Sequence, residues 1–342
     1  MIPEVLSAYG FNPENYITLV HGNGLINNTW LVEKNNSDEQ FILQRINELI
    51  FIQPEDIAFN HRMVTNHLKK YYPDYSFVAP LKTSEGKDLL KTGEGYFRMF
   101  PYVKGSHTID AVNEPLQAYE AAKQFAGFTK RLSGINTFQL KITLPHFHDL
   151  SVRFREFEKS VISGNAERII ESSTLIDYIH LNRSIVSTWE ELKTRLPIRC
   201  IHHDTKISNI LFDKYDKGIC VIDLDTVMPG YFISDVGDML RTYLSPVSEE
   251  DKDMKKIAIR KEYYDAIMQG YLNEMGSSLT ETEKDHFLYA GKFMIYMQAI
   301  RFLTDYLNND IYYGSDYEGH NFVRAGNQAI LLGKLIQFES SL

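Results

Sequence analysis

The sequence predicts an α+β fold in two lobes: a β-rich N-terminal lobe over residues 1–103, a hinge near 99–105, and a mostly helical C-terminal lobe over 104–342. Three observations predict it. The 342 residues are long for one hydrophobic core. The first hundred hold short runs of β-branched and aromatic residues bounded by Gly, Asn and Pro. After Gly105 the apolar spacing changes to the three-and-four recurrence of helices.

Taken in order, "YITLVHGNGLINNTWLVEK" reads as two strands joined by a turn that holds Gly22, Asn23, Gly24 and Asn27. "QFILQRIN" is a third strand, in which alternation places Ile42 and Gln44 on one face. "PEDIAFNHRMVTNHLKKYY" has helical spacing and starts at Pro54. "GYFRMFPYVKG" is a further strand, stopped by Pro101 and Gly105. Beyond it, Asn113 caps a helix with Pro115 in its first turn, and Gly134 ends that helix. In "SIVSTWEELKTRLP", Ile185, Trp189, Leu192 and Leu196 make one helical face, closed by Pro197. The charged run "SPVSEEDKDMKK" reads as a solvated loop and helix start. Residues 257–342 read as helices throughout.

Composition excludes several classes. The net charge of −9 argues against nucleic-acid binding, which needs clustered positive charge, but leaves room for a small anionic ligand held by a local cation. The two cysteines, Cys200 and Cys220, lie in apolar strand-like runs, so a reducing compartment is expected. "MIPEVLSAYG" lacks the basic and apolar regions of a signal peptide, and no apolar run approaches a membrane span. The expectation is a soluble cytoplasmic protein.

The chemistry concentrates in "CIHHDTKISNILFDKYDKGICVIDLDTVMPG". Read as two short strands, each followed by a loop, it presents His202, Asp204, Lys206 and Asn209 after the first strand and Asp223 and Asp225 after the second. Three carboxylates and an asparagine brought together repel unless a cation or a proton transfer holds them. Such hard oxygen ligands suit Mg²⁺, which normally also binds phosphate oxygens. An aspartate left free of metal can accept a hydroxyl proton, and Lys206 can offset charge on a transferring phosphoryl group.

The segment "HHDTKISN" has the spacing H-x-D-x-K-x-x-N, close to the protein-kinase catalytic loop, and "VIDLDT" follows where kinases carry D-F-G. On these motifs the chain resembles the aminoglycoside phosphotransferase and choline kinase superfamily, the small-molecule branch of the protein-kinase-like fold. "NNTWLV", "FILQRINELIF", "AIRFLTDYLNNDIYYG" and "GHNFVRAGNQ" extend the resemblance over nearly the whole chain, toward the N-acetylhexosamine 1-kinases. The resemblance implies ATP and Mg²⁺, with a small-molecule sugar as acceptor. It implies Asp204 as catalytic base and Lys206 near the γ-phosphate. Asn209 and Asp223 become metal ligands, and Asp225 a second ligand or a substrate contact. His202 is then structural, and Asp235 braces the catalytic loop. Gly22, Gly24, Ile42, Gln44, Met99 and Tyr102 would bind nucleotide, and Arg301 and Tyr312 would hold the sugar.

The departures lie in the first lobe. "HGNGLINN" is not G-x-G-x-x-G, and Gln44 stands where the phosphate-binding lysine is expected. Arg45 or Lys206 compensates, or Mg²⁺ and backbone N–H groups hold the triphosphate. Asn60 or a neighbour stands near the helix glutamate that would pair with that lysine. Two rival readings keep or drop the chemistry: an aminoglycoside, choline or amino-alcohol phosphotransferase, and a catalytically weak nucleotide-binding module. Phosphorylation of proteins is remote, because no A-P-E segment follows Asp223.

Overall fold

A computed structural model describes residues 2–22 and 26–342. Strands β1 (Tyr16–Val20), β2 (Asn28–Lys34), β3 (Gln40–Arg45), β4 (Leu90–Thr92) and β5 (Gly95–Pro101) form an antiparallel sheet in the order β1-β2-β3-β5-β4. Its two faces differ, as alternation requires. One face carries Val32, Phe41, Leu43, Phe97 and Met99, packed on Val5, Leu6 and Tyr9 of and after helix α1 (Ile2–Ala8). Sequence patterning missed α1 and β4, which are short and owe their stability to this burial. The opposite face carries Ile42 and Gln44, paired in register with Phe100 and Arg98.

Helix α2 (Pro54–Tyr71) bridges the sheet to the rest of the chain. Pro54 begins it, Ile57 packs beside Tyr96 of β5, and Val64 and Leu68 enter the large helical core. Its Asn60 is fully buried and donates Nδ2 to the Lys141 and Val227 carbonyls at 2.8 and 2.9 Å, while its Oδ1 accepts from the Lys141 N–H. Asn60 therefore does not face Gln44; its neighbour His61 turns toward the sheet's polar face.

Helix α3 (Pro115–Arg131) packs along α9 (Lys261–Met275). Its cap is Glu114 rather than Asn113: Gln117 reaches back to the Glu114 N–H to close a capping box. Helices α4 (Leu150–Ser163), α5 (Ala166–Glu171), α6 (Ser173–Leu181) and α7 (Ser184–Leu192) follow. The long α11 (Phe287–Leu307) runs through the core against α8 (Phe232–Tyr243), α4 and α12 (His320–Glu339), with the short α10 (Glu281–Asp285) before it. The result is the α+β, kinase-like arrangement that the sequence predicts. Among the described residues no helix is long and apolar enough to cross a membrane.

The motif region forms two small hairpin-like sheets. β6 (Arg199–Ile201) pairs with β9 (Met228–Gly230), and β7 (Ile210–Phe212) pairs with β8 (Gly218–Val221). The first pairing returns the chain that leaves Asp225 to the strand that enters the Asp204 loop. The second sets Asn209 beside Ile222, whose N–H donates to the Asn209 carbonyl at 2.9 Å. Cys200 and Cys220 are buried, unpaired thiols on β6 and β8.

Candidate active site

The loop after β6 is held from below by the first turns of α8. The Asp235 carboxylate accepts the His202 and His203 N–H groups at 3.1 and 2.7 Å, and Asp238 accepts the Thr205 N–H at 2.8 Å. Asp235 lies in the first helical turn, where the helix dipole favours a carboxylate. Burial nevertheless pushes it up to about 6, with the two N–H bonds and His202 opposing. His202 is fully buried and meets the Ile222 carbonyl at 3.0 Å, so it joins the two hairpins. His203 takes a left-handed φ of 67° and is brought down to about 3 by burial, so it is neutral. Its ring lies against Gly230, where a Cβ would collide with it.

Asp204 is half-buried, and its partner is Lys206, Nζ to Oδ2 at 3.1 Å. The Asp204 charge raises the Lys206 pKa against the effect of burial, with Asp223 adding to it, so the ammonium stays charged. Asn209 donates Nδ2 to the Asp204 carbonyl at 2.9 Å. Among the described residues its Oδ1 meets no donor, and neither does the Asp223 carboxylate.

Asp223 has a left-handed φ of 58°, a conformation that costs an L-residue energy and is common where function demands it. It lies two residues past β8, at the start of the turn Leu224–Thr226, and is exposed to solvent. The surrounding protein first, then the charges of Asp225 and Asp204, push it up to about 7. A divalent cation would relieve that repulsion. The fit to Mg²⁺ is good in chemistry: the Asn209 amide oxygen and the Asp223 carboxylate are hard oxygen donors with no hydrogen-bond donor on them among the described residues. Among the described residues no cluster of three or more His, Cys, Asp or Glu has a metal-holding arrangement, so the protein alone does not build a full cage.

Asp225 is a correction to the sequence reading. Both its oxygens are already used: Oδ1 by the Arg98 guanidinium and Oδ2 by Asn27 Nδ2 at 2.8 Å. Burial alone would raise it, but Arg98 outweighs burial and holds the carboxyl below its usual range. The buried carboxylate is thus committed to Arg98 and Asn27. His61 lies 3.8 Å from Asp225 and is brought down to about 4 by burial and by Arg98, so it is a neutral neighbour.

On the sheet, Ile42 and Gln44 face the cleft. Gln44 Oε1 accepts from Arg98 Nε and Nη2 at 3.0 and 2.8 Å, and its Nε2 reaches Thr29 Oγ1 at 3.3 Å. Arg98, not Arg45, is the cation beside Gln44. Arg45 follows Gln44, so it points to the other face, beside Gly95 and Glu48. Met99 is the second correction. It is fully buried in the opposite-face core, so its side chain cannot line a nucleotide site. Tyr102 follows β5, donates its N–H to the Gln40 carbonyl, and sits with its ring 6.5 Å from that of His21. Gly22 has a φ of 72° in the turn after β1; Gly24 lies outside the described residues.

Arg301 of α11 lies over the rings of Phe147, Tyr313 and Tyr312 at 5.4, 5.5 and 6.0 Å. Phe147 stacks on His148, whose ring is 5.6 Å from that of His203, next to Asp204. Burial, then His203 and Arg301, keep His148 neutral. Gln298 shares the Arg301 stripe as expected, accepting from Arg301 Nη1 at 3.2 Å. Asp305 does not: it is buried and accepts the N–H groups of Tyr312 and Tyr313, which folds the turn after α11. Tyr312 is 69% exposed at the rim. Sequence reasoning missed Phe147, His148, Tyr313, Asn27 and Arg98. Only Arg98 left a signal, a lone charge among the alternating apolar residues of "GYFRMF". It missed Glu249 as well, which the solvated-loop reading passed over and which pairs with Arg241 and Arg324.

The comparisons agree with this architecture. A crystal structure of an aminoglycoside phosphotransferase from Alicyclobacillus acidocaldarius superposes with a TM-score of 0.63 at 13% identity, over 100% of this chain and 97% of that one. A spectinomycin phosphotransferase in complex with ADP and spectinomycin gives 0.62 at 12%, over 98% of each chain. A choline kinase from Cryptosporidium parvum gives 0.62 at 13%, over 99% and 96%. At these identities the likeness is one of fold. Residues 18–277 match the profile of the APH, or phosphotransferase enzyme, family, which spans the sheet, both hairpins and the Asp204 loop, and the chain belongs to that family.

Proposed function

We propose that the protein transfers the γ-phosphoryl group of ATP to the anomeric C1 hydroxyl of an N-acetylhexosamine such as GlcNAc or GalNAc. The observation that carries the phosphoryl transfer is the pairing of Asp204 with Lys206, on a loop whose Asp204 carbonyl accepts the Asn209 side-chain amide. Asp204 takes the hydroxyl proton as the sugar oxygen forms its bond to the γ-phosphorus. The bond from that phosphorus to the β,γ-bridging oxygen breaks, and ADP leaves. Asn209 and Asp223 would hold Mg²⁺, which would supply positive charge to offset that of the phosphates. Lys206 lies beside Asp204 and adds a positive charge at the transferring group. The β-rich lobe 1–103 and the helical lobe 104–342 would close over both substrates and exclude water.

Arg301 favours a sugar over a cationic acceptor. Among the described residues it has an amide and three aromatic rings around it and no ion-pair partner. An uncompensated guanidinium repels choline, ethanolamine or an aminoglycoside, whereas it can donate to a sugar hydroxyl or an acetamido carbonyl. Aromatic rings beside it suit the apolar face of a pyranose. A hemiacetal hydroxyl is also more acidic than an ordinary alcohol, so a carboxylate base suffices.

Phosphorus NMR tests this reading with MgATP and, in parallel, GlcNAc, GalNAc, unacetylated hexoses, choline and kanamycin, with Asp204→Ala as control. The expected product is the phosphorus doublet of a sugar 1-phosphate, absent in the control. Phosphate on choline or kanamycin alone would keep the chemistry and discard the sugar.

A further inference from the structure

The polar face of the sheet carries a charge in an unexpected place. Position 44 on β3 holds a neutral glutamine, and directly across the ladder β5 holds Arg98, whose side chain is 3% exposed. Every arm of that guanidinium is engaged. Nε and Nη2 converge on Gln44 Oε1, Nη1 meets Asp225 Oδ1, and the Phe100 ring lies 5.2 Å from its centre. Gln44 is in turn held by Thr29, and Asp225 by Asn27. A lysine at 44 would put an ammonium where Arg98 now finds an acceptor. Two buried like charges at that distance repel strongly. The glutamine is therefore matched to the arginine and is not a decayed lysine.

We propose that Arg98 is the fixed cation of the nucleotide site, in place of a cation at position 44, and that it acts as a positioning residue through Asp225. Too buried to touch a phosphate, it binds one of the three neighbouring carboxylates, Asp204, Asp223 and Asp225. It removes Asp225 from competition for the metal and cancels its charge. Asp223 and Asn209 are then left to face Mg²⁺ and the phosphates. The charge has moved one strand along the sheet and one shell out.

The proposal rests on the nucleotide reading above, and a charge-relocation cycle separates the two. MgADP affinity is measured by calorimetry for the wild type, Gln44→Lys, Arg98→Gln and the double variant, with Tm for each and kcat and KM for MgATP where turnover is seen. Each single change should weaken MgADP by about tenfold or more, one by crowding two cations and one by removing the cation that neutralises Asp225. The double variant, with one cation moved from β5 to β3, should recover to within about threefold of the wild type. Gln44→Lys binding MgADP as tightly as the wild type would overturn the proposal. So would a double variant no better than the worse single one, or an Arg98→Gln protein that loses Tm but keeps its affinity. Arg98→Lys keeps the charge with little change in volume and serves if Arg98→Gln does not fold; a loss there equal to that of Gln44→Lys also overturns it. A wild type that binds no MgADP would instead remove the nucleotide reading itself.

Discussion

Asp204 and Asp223 are two aspartates of one cleft with different surroundings, and the difference predicts different failures. Asp204 has the Lys206 ammonium beside it, and in the proposed reaction it receives the hydroxyl proton. Asp204→Asn should lower kcat by about 10²–10⁴ while MgADP affinity changes little, which turnover and calorimetry on the same preparation would check. Asp223 has no donor among the described residues and is pushed up to about 7 by surrounding protein and by two like charges. A group raised in this way takes up a proton as the pH falls through about 7, and a protonated carboxyl is a poor Mg²⁺ ligand. At limiting Mg²⁺, nucleotide affinity should therefore fall between pH 8 and pH 6, and saturating Mg²⁺ should flatten the profile. An affinity independent of pH at low Mg²⁺ would count against Asp223 as the ligand.

At the scale of elements, α8 fixes the geometry of the site. It carries Asp235 and Asp238 under the Asp204 loop and packs on α11, which carries Arg301. Gly237 of α8 lies close against α11. A Cβ there would lie 2.3 Å from the Ala290 carbonyl oxygen and 2.9 Å from Met294 Cβ, contacts that backbone cannot relieve cheaply. Gly237→Ala should cost about 1–3 kcal/mol in urea unfolding and also lower kcat, because the aspartates on either side move with the helix. Asp235→Ala leaves two buried N–H groups without an acceptor. It should cost about 2–4 kcal/mol and reduce kcat more than KM, since the loop holds the proposed base, Asp204.

At the scale of the whole molecule, polar contacts between the sheet, α2 and the helical mass converge on the segment after Asp223. Arg98 and Asn27 reach Asp225, and Asn60 on α2 reaches the carbonyls of Lys141 and Val227. Asn60→Ala would strand those groups and should lower stability by about 2–4 kcal/mol. It should also raise KM for MgATP, because α2 would no longer hold the sheet in register with the metal side. Thermal unfolding and initial-rate kinetics would check both. A stability loss with unchanged KM would show that the tie is structural only.

Much of this was legible because local patterns survive folding. β1, β2, β3, β5 and α2 follow from alternation, Pro and Gly, and the Asp204–Asn209 spacing identifies the loop from a few consecutive residues. What sequence could not supply is orientation and partnership. Met99 and Arg98 are neighbours in one strand, yet one enters the core behind the sheet and the other the cleft; which face is which depends on where α1 and the helices pack. Asp225 looks like a ligand by spacing, yet Arg98 and Asn27, more than a hundred residues away in the chain, each bond one of its oxygens. By itself the sequence determined the fold class and the spacing of the Asp204 loop, since these rest on short-range periodicity; the four strands of the two small sheets, where the sequence suggested two strands, came only with folding. Tertiary structure alone decided which carboxylate is free and which is neutralised, because a buried charge takes its character from partners that only folding brings within hydrogen-bond reach.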